Sequence, residues 1–150
     1  MTSDATAASK PASAPHDRLA DRVILVVDDD DDIRSSFEFA VRAEGAEVRS
    51  ASDGNMAISE TNDGEVDAVI LDMMLPKRSG FLVLEKLTQM EDPPVVIMVT
   101  ANQGRRHKLY AESLGVHAYL NKPVALQRLV DTLVELLDQA DALADDSDSG

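Results

Sequence analysis

Three short apolar runs set the fold class of this chain. Residues 23–27, 68–71 and 95–99 read VILVV, AVIL and VVIMV, and each run is continuous and rich in β-branched side chains. Such runs are typical of strands that are buried on both faces of a parallel sheet. Residues 46–50 alternate as an edge strand does, and residues 117–121 are a shorter fifth candidate. The sequence therefore predicts five strands.

Amphipathic stretches lie between these runs. Three of them carry an apolar face at helical spacing: Ile33, Phe37, Ala40 and Val41; Phe81, Leu84 and Leu87; and Leu126, Leu129, Val130, Leu133 and Leu137. Residues 54–62 and 104–114 are two weaker candidates. Strands that alternate with helices form βαβ units with right-handed crossovers. We therefore expect an α/β fold, a three-layer sandwich with helices on both faces of a parallel sheet.

The two ends of the chain differ from its middle. Residues 1–20 are rich in Ala, Ser, Thr and Pro, and residues 141–150 are acidic and lack basic side chains. Both compositions are typical of disordered tails, so we expect a single domain over residues 21–140. The first 22 residues lack the apolar core of a signal peptide, and no apolar run reaches transmembrane length. We therefore expect a cytoplasmic protein.

Polar residues follow the predicted strands where each strand ends. Asp28 and Asp29 follow the first strand, Asp72 the third, Thr100 the fourth and Lys122 the fifth. The carboxyl ends of parallel strands lie along one edge of the sheet, where open α/β folds bind ligands. When three carboxylates lie this close together, the pKa of at least one of them rises unless a cation neutralises their charge. Mg²⁺, a hard ion that takes oxygen ligands, is the natural candidate.

The first strand runs into five consecutive aspartates, residues 28–32. We expect Asp28 and Asp29 to face the metal, and the other three to occupy the loop and first turn of a helix that begins near Ile33, where acids cap free N–H groups. One alternative is a solvated acidic turn. An EF-hand loop that begins at Asp28 is excluded, because its sixth position is Ile33 instead of Gly and its twelfth is Phe39 instead of Glu.

Composition and motifs exclude several other functions. The formal net charge of −14 argues against nucleic acid and membrane surfaces as partners. The chain has no cysteine, which excludes thiolate metal sites and cysteine catalysis. It also lacks the P-loop pattern. A haloacid-dehalogenase-type phosphatase would continue its first Asp-x-Asp with x and Thr or Val, but here Asp28 and Asp30 are followed by Asp32.

Four segments, taken together, resemble the receiver domain of two-component response regulators: ILVVDDDDDIR, VILDMMLPKRSG, VVIMVTA and AYLNKPV. The resemblance covers about residues 22 to 138 and is closest to stand-alone, chemotaxis-regulator-like receivers. It implies a flavodoxin-like fold with strand order 2-1-3-4-5 and five flanking helices. It also implies a cis peptide bond between Lys122 and Pro123.

The resemblance also implies how Mg²⁺ and the phosphoryl group would be held. Asp72 would take a phosphoryl group from a sensor histidine kinase or a histidine phosphotransfer protein. Asp29 and Asp72 would ligate Mg²⁺ together with the Met74 carbonyl, and Asp28 would hold a metal-bound water. No further cofactor is expected.

Other positions acquire switch and lifetime roles from the same resemblance. Thr100 and Lys122 would contact the phosphoryl oxygens, and Thr100 and Tyr119 would form the conformational switch. Met74 and Asn102 would flank the path of the water that hydrolyses the phosphorylated form.

Signalling would then proceed by protein contact or phosphorelay, because no output domain follows residue 140. The downstream target is not identified by the sequence, and we expect a monomer or a weak, phosphorylation-dependent dimer. The alternative is a receiver-like interaction module that never takes phosphate. The basic segment GRRHK, residues 104–108, either compensates for the acidic chain or docks a partner.

Overall fold

A computed structural model describes residues 17–63, 65–101 and 104–149, with the side chains of residues 145–149 excepted. Strands and helices alternate through these residues: β1 Val23–Val27, α1 Asp31–Arg42, β2 Glu47–Ala51, α2 Gly54–Asp63, β3 Ala68–Asp72, α3 Gly80–Thr88, β4 Val95–Thr100, α4 Arg105–Ser113, β5 Ala118–Asn121 and α5 Leu126–Ser149. The predicted alternation of short strands with helices is confirmed.

The five described strands form one parallel sheet in the order β2-β1-β3-β4-β5. This order confirms the α/β, flavodoxin-like prediction. The three central strands are almost entirely buried, because helices cover both faces of the sheet. The apolar runs are continuous for this reason: in a strand buried on both faces, successive side chains enter opposite cores.

Two apolar cores lie on the two faces of the sheet. Along β1, Ile24 and Val26 join the core that contains Phe37 of α1 and Leu133 of α5. Their neighbours Leu25 and Val27 join the opposite core, with buried side chains from α2, α3 and α4: Ala57, Val83, Leu84, Leu87 and Ala111. The cores hold the sheet rigid and fix the position of the edge at which the strands end.

The structure differs from the sequence prediction at both ends of the domain. Leu19, assigned to a disordered tail, is 1% exposed and joins the core beside α1 and α5, and its N–H donates to the Glu44 carbonyl over 2.8 Å. An ion pair of 2.8 Å also joins Arg18 to Asp131 of α5. The remaining residues of that predicted tail, 1–16, lie outside the described residues.

The last helix is longer than predicted. It continues to Ser149, through nearly all of the segment assigned to an acidic tail. An ion pair between Arg22 and Asp141 anchors this extension to the segment before β1. Within the described part of the chain, no helix has both the length and the apolar character needed to cross a membrane.

Candidate functional site

The transition from β1 to α1 brings the aspartate run to the carboxyl edge of the sheet. Asp28 extends β1, since its N–H donates to the Ala51 carbonyl over 3.1 Å. Asp30 is the N-cap of α1, and its side chain accepts from the N–H groups of Asp32 and Ile33 at 2.9 and 3.0 Å. The helix begins at Asp31, two residues earlier than the position near Ile33 that the sequence indicated. Asp30 ends the strand-to-helix turn, which leaves Asp28 and Asp29 at the edge.

Three carboxylates meet at this edge. One oxygen each from Asp28, Asp29 and Asp72 lies within 4.8 Å of the other two. Asp28 and Asp72 are buried, with 2% and 6% of their surfaces exposed, whereas Asp29 is exposed to solvent. A set of anionic oxygens that is open on one side fits a hard divalent cation that keeps some of its waters. The structure thus brings together the three acids that the sequence placed at strand ends.

Lys122 lies against two of these acids. Its ammonium nitrogen, Nζ, is 2.8 Å from an Asp28 oxygen and 3.6 Å from an Asp72 oxygen. The backbone fixes the position of this lysine, because its N–H donates to the Thr100 carbonyl over 2.8 Å. The Lys122–Pro123 peptide bond is cis, as the resemblance implied. Lys122 therefore partly neutralises the acidic cluster.

Burial changes the acid–base behaviour of Asp72. The pKa of its carboxyl is raised from 3.8 to about 6, chiefly by loss of hydration and in addition by the negative charges of Asp28 and Asp29. Lys122 and the N–H of Met74, which lies 3.3 Å from an Asp72 oxygen, lower this pKa but do not offset the increase. The carboxylate form of Asp72 is therefore less stable here than in water, and a cation or an electrophile at this position would stabilise it.

Two further predicted residues, Thr100 and Tyr119, lie near the acidic cluster in β4 and β5. Thr100 is the last residue of β4 and is fully buried. Tyr119 is half-buried in β5, and burial raises the pKa of its phenol. Its hydroxyl is 3.9 Å from the sulfur of Met73, the residue after Asp72. Asn102 lies outside the described residues.

A loop of residues 73–79, here named the acceptor loop, follows Asp72 and leads into α3. The N–H of Gly80 donates to the Met73 carbonyl over 2.9 Å and closes the loop. A Cβ at residue 80 would lie 2.4 Å from the Asp72 carbonyl oxygen, so only glycine fits there. Gly80 was not among the predicted site residues, and the signal that could have identified it is the segment LPKRSG, in which Pro and Gly are typical of a tight loop. The Met74 side chain is 65% exposed on this loop.

The basic segment 104–108 forms the start of α4. Arg105, Arg106 and Lys108 are exposed, and within the described residues they form no ion pair. The Phe81 ring of α3 stacks on His107 and meets Tyr110 edge-on, with centroid distances of 5.8 and 5.0 Å. The helix thus presents cations and an aromatic cluster close to α3, which begins at the end of the acceptor loop.

Comparisons with known proteins agree with this fold. A family profile described as the response regulator receiver domain matches residues 24–134. The structure is similar to a CheY-like response regulator receiver domain protein from Methanospirillum hungatei JF-1, with 28% identity, a TM-score of 0.78, and coverage of 81% of this chain and 97% of that one.

Two further solved structures are similar. A putative response regulator from Chloroflexus aurantiacus has 30% identity and a TM-score of 0.74, over 78% of this chain and 98% of that one. NtrX from Brucella abortus in complex with ADP has 27% identity and a TM-score of 0.80, over 85% of this chain but only 30% of NtrX. The match to NtrX therefore involves less than a third of that protein.

Proposed function

This chain belongs to the response regulator receiver domain family, and from that premise we propose that it is a signalling switch that takes a phosphoryl group on Asp72. The observation that carries the assignment is the environment of Asp72: a nearly buried carboxylate, with a pKa raised to about 6, between two other acids and the Lys122 ammonium. A structural acid would be paired or solvated well enough to keep its ordinary pKa. This arrangement instead supports a carboxylate that reacts.

The proposed chemistry is transfer to a carboxylate oxygen. An Asp72 oxygen attacks the phosphorus of a phosphohistidine or a small acyl phosphate, the bond to the donor atom breaks, and the donor leaves with the electron pair. The product is an acyl phosphate. Because the pKa of Asp72 is about 6, most of its carboxyl is ionised at pH 7 and can attack. Hydrolysis by water then returns the carboxylate.

Different site residues would bind the cation and contact the phosphoryl oxygens. Asp29 and Asp72, with the Met74 carbonyl, would hold Mg²⁺, and Asp28 would hold one of its waters. When bound, the ion would neutralise charge that develops on the phosphoryl oxygens. Lys122 would contact a phosphoryl oxygen on Asp72, a role supported by the 3.6 Å between its ammonium nitrogen and that carboxylate. Thr100 would contact another, and its movement with Tyr119 would transmit the change.

A histidine kinase or a histidine phosphotransfer protein is the proposed donor. An apolar cleft of about 530 Å³ lies next to Lys122 and is lined by Ile33 and Phe37 of α1 and by Pro123 and Leu126. This cleft would offer a protein donor an apolar surface beside Lys122. The output would be a protein contact, for which the cations of α4 are a candidate surface.

Phosphorylation by acetyl phosphate tests the proposal directly. With Mg²⁺, the intact mass of the protein should increase by one phosphoryl group, and removal of Mg²⁺ with a chelator should prevent this. Asp72→Asn should stay unlabelled, and Asp63→Asn, at the far end of α2, should label like the parent. Full labelling of Asp72→Asn would show that the acceptor is wrong. A parent that never labels would favour the interaction module without phosphorylation.

A further inference from the structure

A second loop packs against the acceptor loop. Residues 53–55, here named the β2–α2 junction, lead from β2 into α2. Asp53 is 8% exposed, and its side chain caps α2 by accepting from the Met56 N–H over 2.9 Å. The junction lies on the same edge of the sheet as the acidic cluster, because β2 is parallel to β1 and its last residue, Ala51, pairs with Val27.

Each residue of the junction touches a different part of the acceptor loop. The second Asp53 oxygen is 3.8 Å from the Lys77 ammonium nitrogen, and the Asn55 side-chain oxygen accepts from the Arg78 guanidinium over 3.1 Å. Between them, the Gly54 N–H donates to the Pro76 carbonyl over 3.4 Å. The exposed ion pair contributes little by itself. The three contacts matter together, because they hold successive residues of one loop.

The closest approach is between two backbones. A Cβ at Gly54 would lie 2.4 Å from the Arg78 carbonyl oxygen and 2.6 Å from the Arg78 Cβ. This is roughly 1 Å shorter than an ordinary carbon–oxygen contact of about 3.5 Å, and the obstacle is backbone, which cannot rotate away. Any side chain at residue 54 must therefore push the acceptor loop and the junction apart.

The acceptor loop has an unusual conformation at the position that the junction contacts. Lys77 has a φ of 69°, in the left-handed region that non-glycine residues rarely adopt. A turn in the loop, closed by the Arg78 N–H on the Pro76 carbonyl over 2.7 Å, surrounds this residue. The contacts from the junction thus hold a backbone that would otherwise favour another conformation.

We propose that the β2–α2 junction positions the acceptor loop and thereby sets the affinity of the acidic cluster for its divalent cation. The proposal rests on the proposed function in one respect, namely that this loop supplies the Met74 carbonyl as a metal ligand. Asp53 and Gly54 are positioning residues, since they contact the acceptor loop and do not belong to the acidic cluster. Partners that orient the ligands of a metal commonly change its affinity by 10- to 100-fold.

Calorimetric titration of Mg²⁺ into the unphosphorylated protein measures this affinity without any phosphoryl transfer. Gly54→Ala should bind Mg²⁺ roughly 10-fold more weakly than the parent. Gly115→Ala is the matched control: its φ of 99° makes the substitution strained, but it lies in the turn between α4 and β5, at the opposite end of the sheet. It should lower stability and leave the Mg²⁺ affinity unchanged.

Lys77→Gly separates positioning from stability. Glycine tolerates the left-handed backbone, so thermal stability should not fall, yet the freed loop should bind Mg²⁺ more weakly. Phosphorylation by acetyl phosphate should be slow in Gly54→Ala and in Lys77→Gly at low Mg²⁺, and its rate should recover at saturating Mg²⁺. A general structural defect would not recover in this way.

The outcomes distinguish the positioning role of the β2–α2 junction from the assignment of the metal site itself. Asp29→Ala removes a proposed ligand and calibrates the assay. If Asp29→Ala loses Mg²⁺ binding while Gly54→Ala and Lys77→Gly bind like the parent, the positioning role is overturned and the metal site stands. If Asp29→Ala also binds like the parent, the metal assignment itself fails. If Gly54→Ala does not fold, Lys77→Gly decides alone.

Discussion

Asp72→Asn should make the protein more stable at neutral pH when Mg²⁺ is absent. The acidic cluster opposes folding, because burial and two neighbouring acids disfavour the charged form of Asp72 in the native state. An asparagine removes that charge and keeps the shape of the side chain. Its amide can donate to the Asp28 carboxylate, which lies in the same cluster.

The size of the effect follows from the pKa of Asp72. A carboxyl whose pKa is 3.8 when unfolded and about 6 when folded is destabilised by about 3 kcal/mol once it is ionised in both states, at 1.36 kcal/mol per pKa unit. The folded state binds the proton more tightly, so this group causes stability to fall as the pH rises from about 4 to above 6. The advantage of Asp72→Asn should grow over that window.

Urea unfolding followed by circular dichroism measures the difference, since the chain has no tryptophan to report by fluorescence. At pH 7.5 with a chelator, Asp72→Asn should gain about 3 kcal/mol, or roughly 10 °C in melting temperature. At pH 4 the gain should largely vanish. Asp92→Asn, an exposed position that removes the same charge, is the control and should change stability little.

Mg²⁺ supplies the second half of the test. At roughly 30 times its Kd, the ion should raise the free energy of unfolding of the parent by about 2 kcal/mol. It should raise that of the variant, which lacks one carboxylate, by less. The difference between the two proteins should therefore narrow. If Asp72→Asn is no more stable than the parent at pH 7.5, or if its gain is the same at pH 4, the cluster does not oppose folding as we infer.

Other predictions address the rest of the site. Asp29→Ala should weaken Mg²⁺ binding by more than ~10-fold, whereas Asp31→Ala should not, because Asp31 belongs to the first turn of α1. Equal losses of affinity in the two Mg²⁺ titrations would show that the site is wrongly located within the aspartate run. Arg105→Glu with Arg106→Glu should leave labelling by acetyl phosphate intact and weaken binding to the kinase or output partner, most at low salt; unchanged affinity would leave only charge compensation. Met74→Asn should speed decay of the phosphorylated protein ~10-fold, which corresponds to about 1.4 kcal/mol of activation barrier, because an amide can hold the attacking water. Met74→Leu should decay at the parental rate, and equal decay rates for the two variants would show that this position does not limit hydrolysis.

The fold and the main site could be predicted from the sequence because both follow from where strands end. Continuous apolar runs identified the strands, and parallel pairing requires their carboxyl ends to share an edge. Asp28, Asp72 and Lys122, up to 94 positions apart, therefore converge without any knowledge of side-chain geometry. Asp30 was likewise predictable, since an acid before an amphipathic stretch is a common N-cap.

Contacts between loops could not be predicted in this way. Nothing in the sequence places Asp53 beside Lys77 or Gly54 beside Arg78, because these residues belong to connections after different strands. A left-handed lysine is also invisible, since sequence patterns predict that conformation for Gly or Asn. The ion pair that joins the extended part of α5 to the segment before β1 is of the same kind, because its partners, Arg22 and Asp141, lie 119 positions apart.

The charge at the site explains why these acids can share one edge. With Lys122 as counter-ion, the three carboxylates retain two negative charges, the amount that one divalent cation neutralises. Lys122 lies closer to Asp28 than to Asp72, at 2.8 against 3.6 Å, so Asp72 is the less neutralised of the two buried acids. Burial is the main reason why the pKa of Asp72 is raised to about 6, and the nearby charge of Asp28 adds to it. A carboxylate left in this state would gain stability from a cation and, under the proposed function, again when its charge moves onto a phosphoryl group that Lys122 can reach. The burial and incomplete neutralisation that cost folding free energy at Asp72 would therefore also favour the proposed reaction at that residue over its neighbours.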